Sequence, residues 1–289
     1  MKLGIITPVV TANPRAHASW ERDAGIAEIE HIVVEADRLG YDHCTCSEHV
    51  GIPEPVVAIR GGTYWDPLAV FGYLAARTST IRFTTYVLVL AYNHPLAIAK
   101  RYGTLDQVSG GRVILGVGVG SLREEFELLD APFDDRGPRG DDAIRALRAS
   151  FGQREPSYHG THYSFDGFVI DPPGLQTDVP IWIGGRTARS LRRAVELGDG
   201  WAPFSLTAAE VAPMMARARD TAAWEQRTTP LDVVLRPDCA VDPQRDPDAT
   251  RAVVEQLRDA GATMFAAAFI HHSADHYCEQ LAALAEIVR

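Results

Sequence analysis

The sequence predicts a (β/α)8 barrel, and three observations carry that expectation. Eight short runs rich in β-branched and aliphatic residues alternate with eight helical segments along 289 residues, at roughly 36 residues per unit. The clearest unit, Ile81 to Phe126, reads strand, helix, strand: IRFTTYVLVL and VILGVG flank a segment of the length a parallel crossover needs. No low-complexity tract or Gly/Ser-rich linker divides the chain, so a single domain is expected over residues 1–289. A doubly wound open sheet is the alternative architecture.

Taken in order, Lys2 to Val10 reads as strand one. Asp23 to Leu39 follows as a helix with Ile26, Ile29, Val33 and Ala36 on one face, stopped by Gly40. Tyr41 to Ser47 is strand two, and Glu48 to Tyr64 reads as a loop. Asp66-Pro67 is an N-cap and first-turn pair that opens a helix to about Arg77. Ile81 to Leu90 is strand three, and a helix from Asn93-His94-Pro95 to Val108 stops at Ser109-Gly110-Gly111. Val113 to Gly118 is strand four; Ser121 and Glu124 have capping-box spacing, which predicts a helix immediately after it. Asp141 to Phe151 is helical, and SYHGTHYSF reads as a short hairpin inserted before strand five, Pro180 to Gly184. Strands six, seven and eight are Gly200 to Pro203, Leu231 to Leu235 and Thr263 to Phe269. Their helices are Ala208 to Arg227, Asp248 to Ala260 and Asp275 to Val288; Thr187 to Leu197 follows strand five.

The 46% hydrophobic and 23% charged content belongs to a soluble globular chain. A net charge of −10 argues against a nucleic acid or an anionic membrane as partner, because either calls for a concentrated basic face. Four scattered cysteines do not make a disulfide framework, and the apolar run in MKLGIITPVV falls far short of a membrane span and lacks a cleavage site. A cytoplasmic protein is expected.

In a barrel, chemistry sits at the C-terminal ends of the strands. That rule selects Ser47-Glu48-His49, Leu90 to His94, Gly118 to Ser121, Gly184 to Thr187, Pro203 to Ser205 and Arg236. If Cys44 and Cys46 face the helices, then His43, Thr45, Ser47 and His49 face the interior, and His49 can exchange a proton at the mouth. Gly116, Gly118 and Gly120 would share one bare face of their strand, although glycine there also fits a bulge. Their spacing is not the dinucleotide fingerprint G-x-G-x-x-G. Gly184-Gly185-Arg186-Thr187 opens a helix with bare amides, a guanidinium and a hydroxyl, a set that suits a phosphate; an ordinary βα turn is the alternative. Arg189, Arg192 and Arg193 read as a solvated helix face. His272 and His276 stand four apart after His271, but no third ligand accompanies them, so no metal is expected.

These stretches together resemble the bacterial luciferase-like family of flavin and deazaflavin oxidoreductases, in its branch that uses coenzyme F420. The matching segments are Leu39-Gly40-Tyr41-Asp42 leading to Ser47-Glu48-His49, VLVLAYNHPLAIAKRYGTLDQVSGGRVILGVGVG with EEF, and PIWIGGRTARSLRRAVELGDGW. The resemblance implies a cofactor ring at the barrel mouth with Ser47, Glu48 and His49 beside it. It further implies that Val87, Leu88 and Val89 form one wall at a bulge where the family often has a non-prolyl cis peptide. Gly118 would lie beneath the ring, and Gly184, Gly185, Arg186 and Thr187 would hold the phosphate. The implied reaction is hydride transfer between the deazaflavin C5 and a small organic substrate, with His49 moving the proton. An FMN-dependent monooxygenase using dioxygen and a non-catalytic cofactor carrier are the alternatives. Cys44-Thr45-Cys46 departs from the Val-Trp-Val type of strand that many relatives have, which leaves room in the pocket. Tyr64, Trp65, Tyr158, Tyr163 and Phe204 are expected to give the substrate a partly aromatic wall, and a homodimer is expected from the family.

Overall fold

Eight parallel strands close into a ring in a computed structural model that describes residues 1–14 and 16–288. Strand one is Lys2–Ile5, two His43–Cys46, three Arg82–Thr85, four Val113–Gly118, five Ile181–Gly184, six Gly200–Ala202, seven Asp232–Leu235 and eight Met264–Ala267. Each pairs with its sequence neighbours, and strand one pairs strand eight with Lys2 opposite Met264. Closure removes the open-sheet alternative.

The helices between strands are Ile26–Arg38, Pro67–Ala75, Pro95–Ser109, Arg136–Ser150, Ala188–Leu197, Ala208–Arg219 and Pro247–Asp259, and Ala274–Val288 ends the circuit. Their ends follow local chemistry. Asp66 accepts the Ala69 amide at 3.0 Å with Pro67 in the first helical position, and Gly110 adopts the left-handed conformation (φ 72°) that closes the helix before it. Alternation along the strands separates two cores. Ile5, Cys44, Cys46, Phe83 and Leu115 face the helices, whereas Ile114, Trp182, Ala202, Val234, Met264 and Ala266 fill the barrel. His43 is fully buried inside, edge-on to Trp182 at 4.9 Å, so the inward parity of strand two is as the cysteines imply.

Four sequence expectations change. The loop Glu48 to Tyr64 contains a helix, Glu54–Arg60, that buries none of its residues. Strand three stops at Thr85 and resumes at Leu88–Val89. Ser121 caps nothing; the next helix is Arg123–Leu128, preceded by Leu122 without a side-chain cap, and the Ser121 hydroxyl instead accepts from Arg60. The segment Ala208 to Arg227 breaks after Arg219, and Thr221 caps a separate turn, Ala222–Glu225. The inserted hairpin forms as expected, with Tyr158 opposite Phe165. Among the described residues no helix is long and apolar enough to cross a membrane.

Glycine packing gives a direct test of the barrel. A Cβ on Gly116 would lie 1.8 Å from the Thr85 carbonyl oxygen, whereas one on Gly72, inside the helix Pro67–Ala75, meets nothing within 4 Å. Gly116→Ala is expected to destabilise by about 1–3 kcal/mol or more through overpacking. Gly72→Ala should stabilise by about 0.5–1 kcal/mol through helix propensity. Urea denaturation of both variants checks the pair, and equal effects would contradict the packing described.

Candidate active site

The mouth of the barrel is shaped by the irregular end of strand three. Thr85 turns its hydroxyl to the Gly116 carbonyl at 2.7 Å, a cis peptide joins Tyr86 to Val87, and Leu88–Val89 then pairs with Val117 and Gly118. Val87 is half-buried and central. A Cβ on Gly118 would fall 2.7 Å from one Val87 methyl, and a Cβ on Gly184 2.5 Å from the other. Strands four and five therefore give up side chains to seat this valine, and Val87 supplies the apolar surface above Gly118. Gly120 does not continue the bare face: it lies past the strand end with φ 83°, and a side chain there would strike Phe126.

Strand two delivers the polar groups. The Ser47 hydroxyl donates to the Tyr86 carbonyl at 2.7 Å, and the Val89 amide donates to Glu48 Oε2 at 3.2 Å, so Ser47-Glu48-His49 is fastened to the strand-three segment. His49 Nδ1 lies 2.8 Å from Glu125 Oε2. Glu125 Oε1 accepts the Val50 amide at 2.7 Å and the Gly51 amide at 3.4 Å. The His49 ring packs edge-on to Tyr64 at 4.6 Å, and the Tyr64 hydroxyl donates to the Arg60 carbonyl.

At strand five, Thr187 caps its helix, accepting the Ser190 amide at 3.3 Å, and Gly185 has φ 112°. Arg186 and Thr187 are exposed at that helix start; the Thr187 and Ser190 amides are taken by Ser190 Oγ and Thr187 Oγ1, so an anion there would draw on the Ala188 and Arg189 amides and the Arg186 guanidinium. Arg193 is not part of a solvated face: it is buried against helix Arg136–Ser150 and paired with Asp141. Tyr158 gives its hydroxyl to Asp142 at 2.6 Å and Tyr163 is buried beside His94, so the hairpin aromatics anchor the insertion to its neighbouring helices. Trp65 is half-buried, its amide donating to the Val10 carbonyl, and Phe204 is exposed past strand six. His271 accepts from Trp20 Nε1 at 3.0 Å, and His272 stacks on His276.

Residues 1–286 match the luciferase-like monooxygenase family. This chain belongs to that family. It is 31% identical over 173 residues to an uncharacterized protein of Mycobacterium tuberculosis, covering 60% of this chain and 59% of that one. It is 32% identical over 183 residues, 61% of this chain and 52% of the relative, to an F420-dependent glucose-6-phosphate dehydrogenase of Microbacterium testaceum. It is 28% identical over 174 residues, 60% of this chain and 48% of the relative, to a 5,10-methylenetetrahydromethanopterin reductase of Archaeoglobus fulgidus. These matches span about half to three fifths of the relatives' length. Among solved structures, the monooxygenase RslO1 of Streptomyces bottropensis superposes with a TM-score of 0.79 at 22% identity, covering 100% and 98% of the two chains. The coenzyme F420 dependent tetrahydromethanopterin reductase of Methanopyrus kandleri gives 0.76 at 15% identity, covering 97% and 96%. At those identities the structures establish the shared barrel.

Luciferase-like proteins are oxidoreductases or monooxygenases, and relatives use F420 or FMN. In this luciferase-like chain the partner of His49, Glu125, went unassigned in the sequence, although it sits in the quoted EEF segment. Its signal was positional, a carboxylate one turn into the helix that follows strand four. Glu125 has a side chain only 2% exposed. Burial pushes its carboxyl up, but the hydrogen bond and charge of His49 and the two loop amides outweigh that, and the net shift is downward. Glu48 moves the other way: burial, with the charges of Asp66 and Glu125, raises its carboxyl to about 7 against the pull of the Val89 amide.

The raised group carries a pH dependence with a definite sign. Its contribution to stability is present in full below the unfolded value of 4.5 and is lost as pH rises through about 7. Glu48→Gln keeps an acceptor for Val89 and never ionises. Its melting temperature should match the wild type near about pH 4 and exceed it near about pH 8. A variant that tracks the wild type across that range would remove the assignment.

Proposed function

We propose that this protein is an F420-dependent oxidoreductase that passes a hydride between the deazaflavin and a small organic substrate, with His49 exchanging the accompanying proton. The observation that carries the reading is the His49 and Glu125 pair fastened beside the Val87 surface at the barrel mouth. The residues fit such a cofactor. A half-buried valine seated by Gly118 and Gly184 offers an apolar face for a flat ring, and Gly185, Arg186 and Thr187 offer an exposed anion site for a phosphate. When bound, F420 would supply two-electron hydride chemistry at C5.

The chain's own part is positioning and proton transfer. Glu125 holds Nδ1 of His49, which leaves Nε2 as the exchanging nitrogen. Its lowered carboxyl stays ionised and stabilises the imidazolium, so His49 can give a proton to the reduced centre and recover one in the reverse direction. Tyr64 fixes the plane of the ring. Ser47 and Glu48 hold the segment that carries it. The sequence match to an F420-dependent dehydrogenase supports F420 over FMN. The reading also takes a homodimer as the working form, which sedimentation checks.

His49→Ala should lower turnover by ~10²–10⁴ while leaving F420 binding near the wild-type value. The first measurement is an anaerobic titration with F420 and FMN in both redox states. Selective binding of reduced FMN would overturn the assignment in favour of oxygen chemistry. Tight F420 binding with no substrate-dependent redox change across a substrate screen would make the protein a carrier. Gly118→Ala and Gly184→Ala, which press on Val87 from either side, should weaken F420 binding by ~10-fold or more through displacement of the ring surface. Unchanged affinity in both would detach Val87 from the cofactor.

A further inference from the structure

Strand seven points Val234 into the barrel, so two residues on, just past the strand end, Arg236 lies on the same inward side at the level of the mouth. It is half-buried, and its charge bears on the buried Tyr86 hydroxyl, which donates to the Pro203 carbonyl at 3.0 Å. Arg236 is thus grouped with the ends of strands three and six. Among the described residues its guanidinium meets no hydrogen-bond acceptor and no carboxylate. Other half-buried or buried arginines are engaged. Arg82 pairs with Asp42, Arg148 with Asp178 and Asp199, and Arg193 with Asp141, while Arg112 and Arg227 are ringed by backbone carbonyls.

A guanidinium keeps its charge at any working pH, and that of Arg236 is open to water without being spent on an internal partner, so an acceptor entering the mouth can meet it with charge-assisted hydrogen bonds. We infer that Arg236 anchors a carboxylate or equivalent anionic head group of the substrate. This names the substrate class for the site proposed above and rests on that reading of the mouth. The two carboxyls described there do not compete: Glu125 is committed to His49 and two amides, and Glu48 to Val89. Arg60, whose guanidinium reaches only the Ser121 hydroxyl, adds a second cation to the rim. The anion site at Gly185 to Thr187 lies two strands away around the ring, which assigns the cofactor phosphate and the substrate anion to different places.

The test follows the Arg236 Nε–Hε signal of the full chain by NMR, assigned by its loss in Arg236→Lys, during titration with benzoate and with its neutral analogue benzamide. Benzoate should shift the signal saturably and benzamide should not. In Arg236→Gln, benzoate affinity by calorimetry should fall ~10-fold or more, the scale of a charge-assisted hydrogen bond, while F420 binds as in the wild type. No benzoate response, an equal benzamide response, or unchanged benzoate affinity in Arg236→Gln overturns the inference. A loss of F420 affinity in that variant overturns it too, by giving the arginine to the cofactor. Because the benzoate arm needs no cofactor, failure of the wild type to bind F420 counts against the redox reading alone.

Discussion

The irregular end of strand three depends on bare α-carbons in the strands beside it. Gly116 admits the Thr85 carbonyl, and Gly118 and Gly184 leave space for the two Val87 methyls. Close-packed interiors do not yield such room by relaxation alone. With side chains at these positions strand three would be forced to continue its ladder or to move outward, and Val87 would not stand at the centre of the mouth. The same displacement frees the Tyr86 carbonyl and the Val89 amide from the regular pairing pattern. Ser47 and Glu48 then take them up, so the glycines of strands four and five indirectly position the histidine of strand two.

Two carboxyls behind that histidine show how environment separates like groups. Glu125 receives a histidine and two amides, and its negative charge is the favoured form. Glu48 receives one amide and faces the charges of Asp66 and Glu125, and its neutral form is favoured to about pH 7. The arrangement avoids two adjacent buried anions while leaving one fixed charge where an imidazolium would form. In the proposed reaction, that asymmetry keeps the proton on the His49 side of the pair.

The barrel was legible because each unit carries its own punctuation: Asp66-Pro67, Gly110 and Thr187 mark helix ends by local hydrogen bonding and backbone freedom. The inward parity of strand two was legible for the same reason, since Cys44 and Cys46 must pack on helices. What failed was long-range. Ser121 and Glu124 have the spacing of a cap, but Ser121 is taken by Arg60, some sixty residues away in sequence. The helix Glu54–Arg60 buries nothing, so no apolar periodicity announces it. Arg193 reads as solvated until Asp141 is brought beside it. Glu125 belongs to the same class, because nothing in its neighbours in sequence names His49 as its partner.

Closing eight strands into a ring also distributes chemistry by position. The fastened histidine stands at the end of strand two, the valine surface at three, the glycine cradle at four and five, and the unpaired guanidinium at seven. Each comes from a different βα connection, so a change in one loop alters one property of the site without disturbing the ladder beneath it. The consequence for specificity is physical. The segments that carry the family resemblance, from Leu39 to Trp201, include the proposed ring and proton groups. Arg236 and the loops after strands six to eight lie beyond that stretch. Substrate choice can therefore differ from that of the relatives while the redox half of the site is kept, and the charge at strand seven is the feature through which such a difference would act.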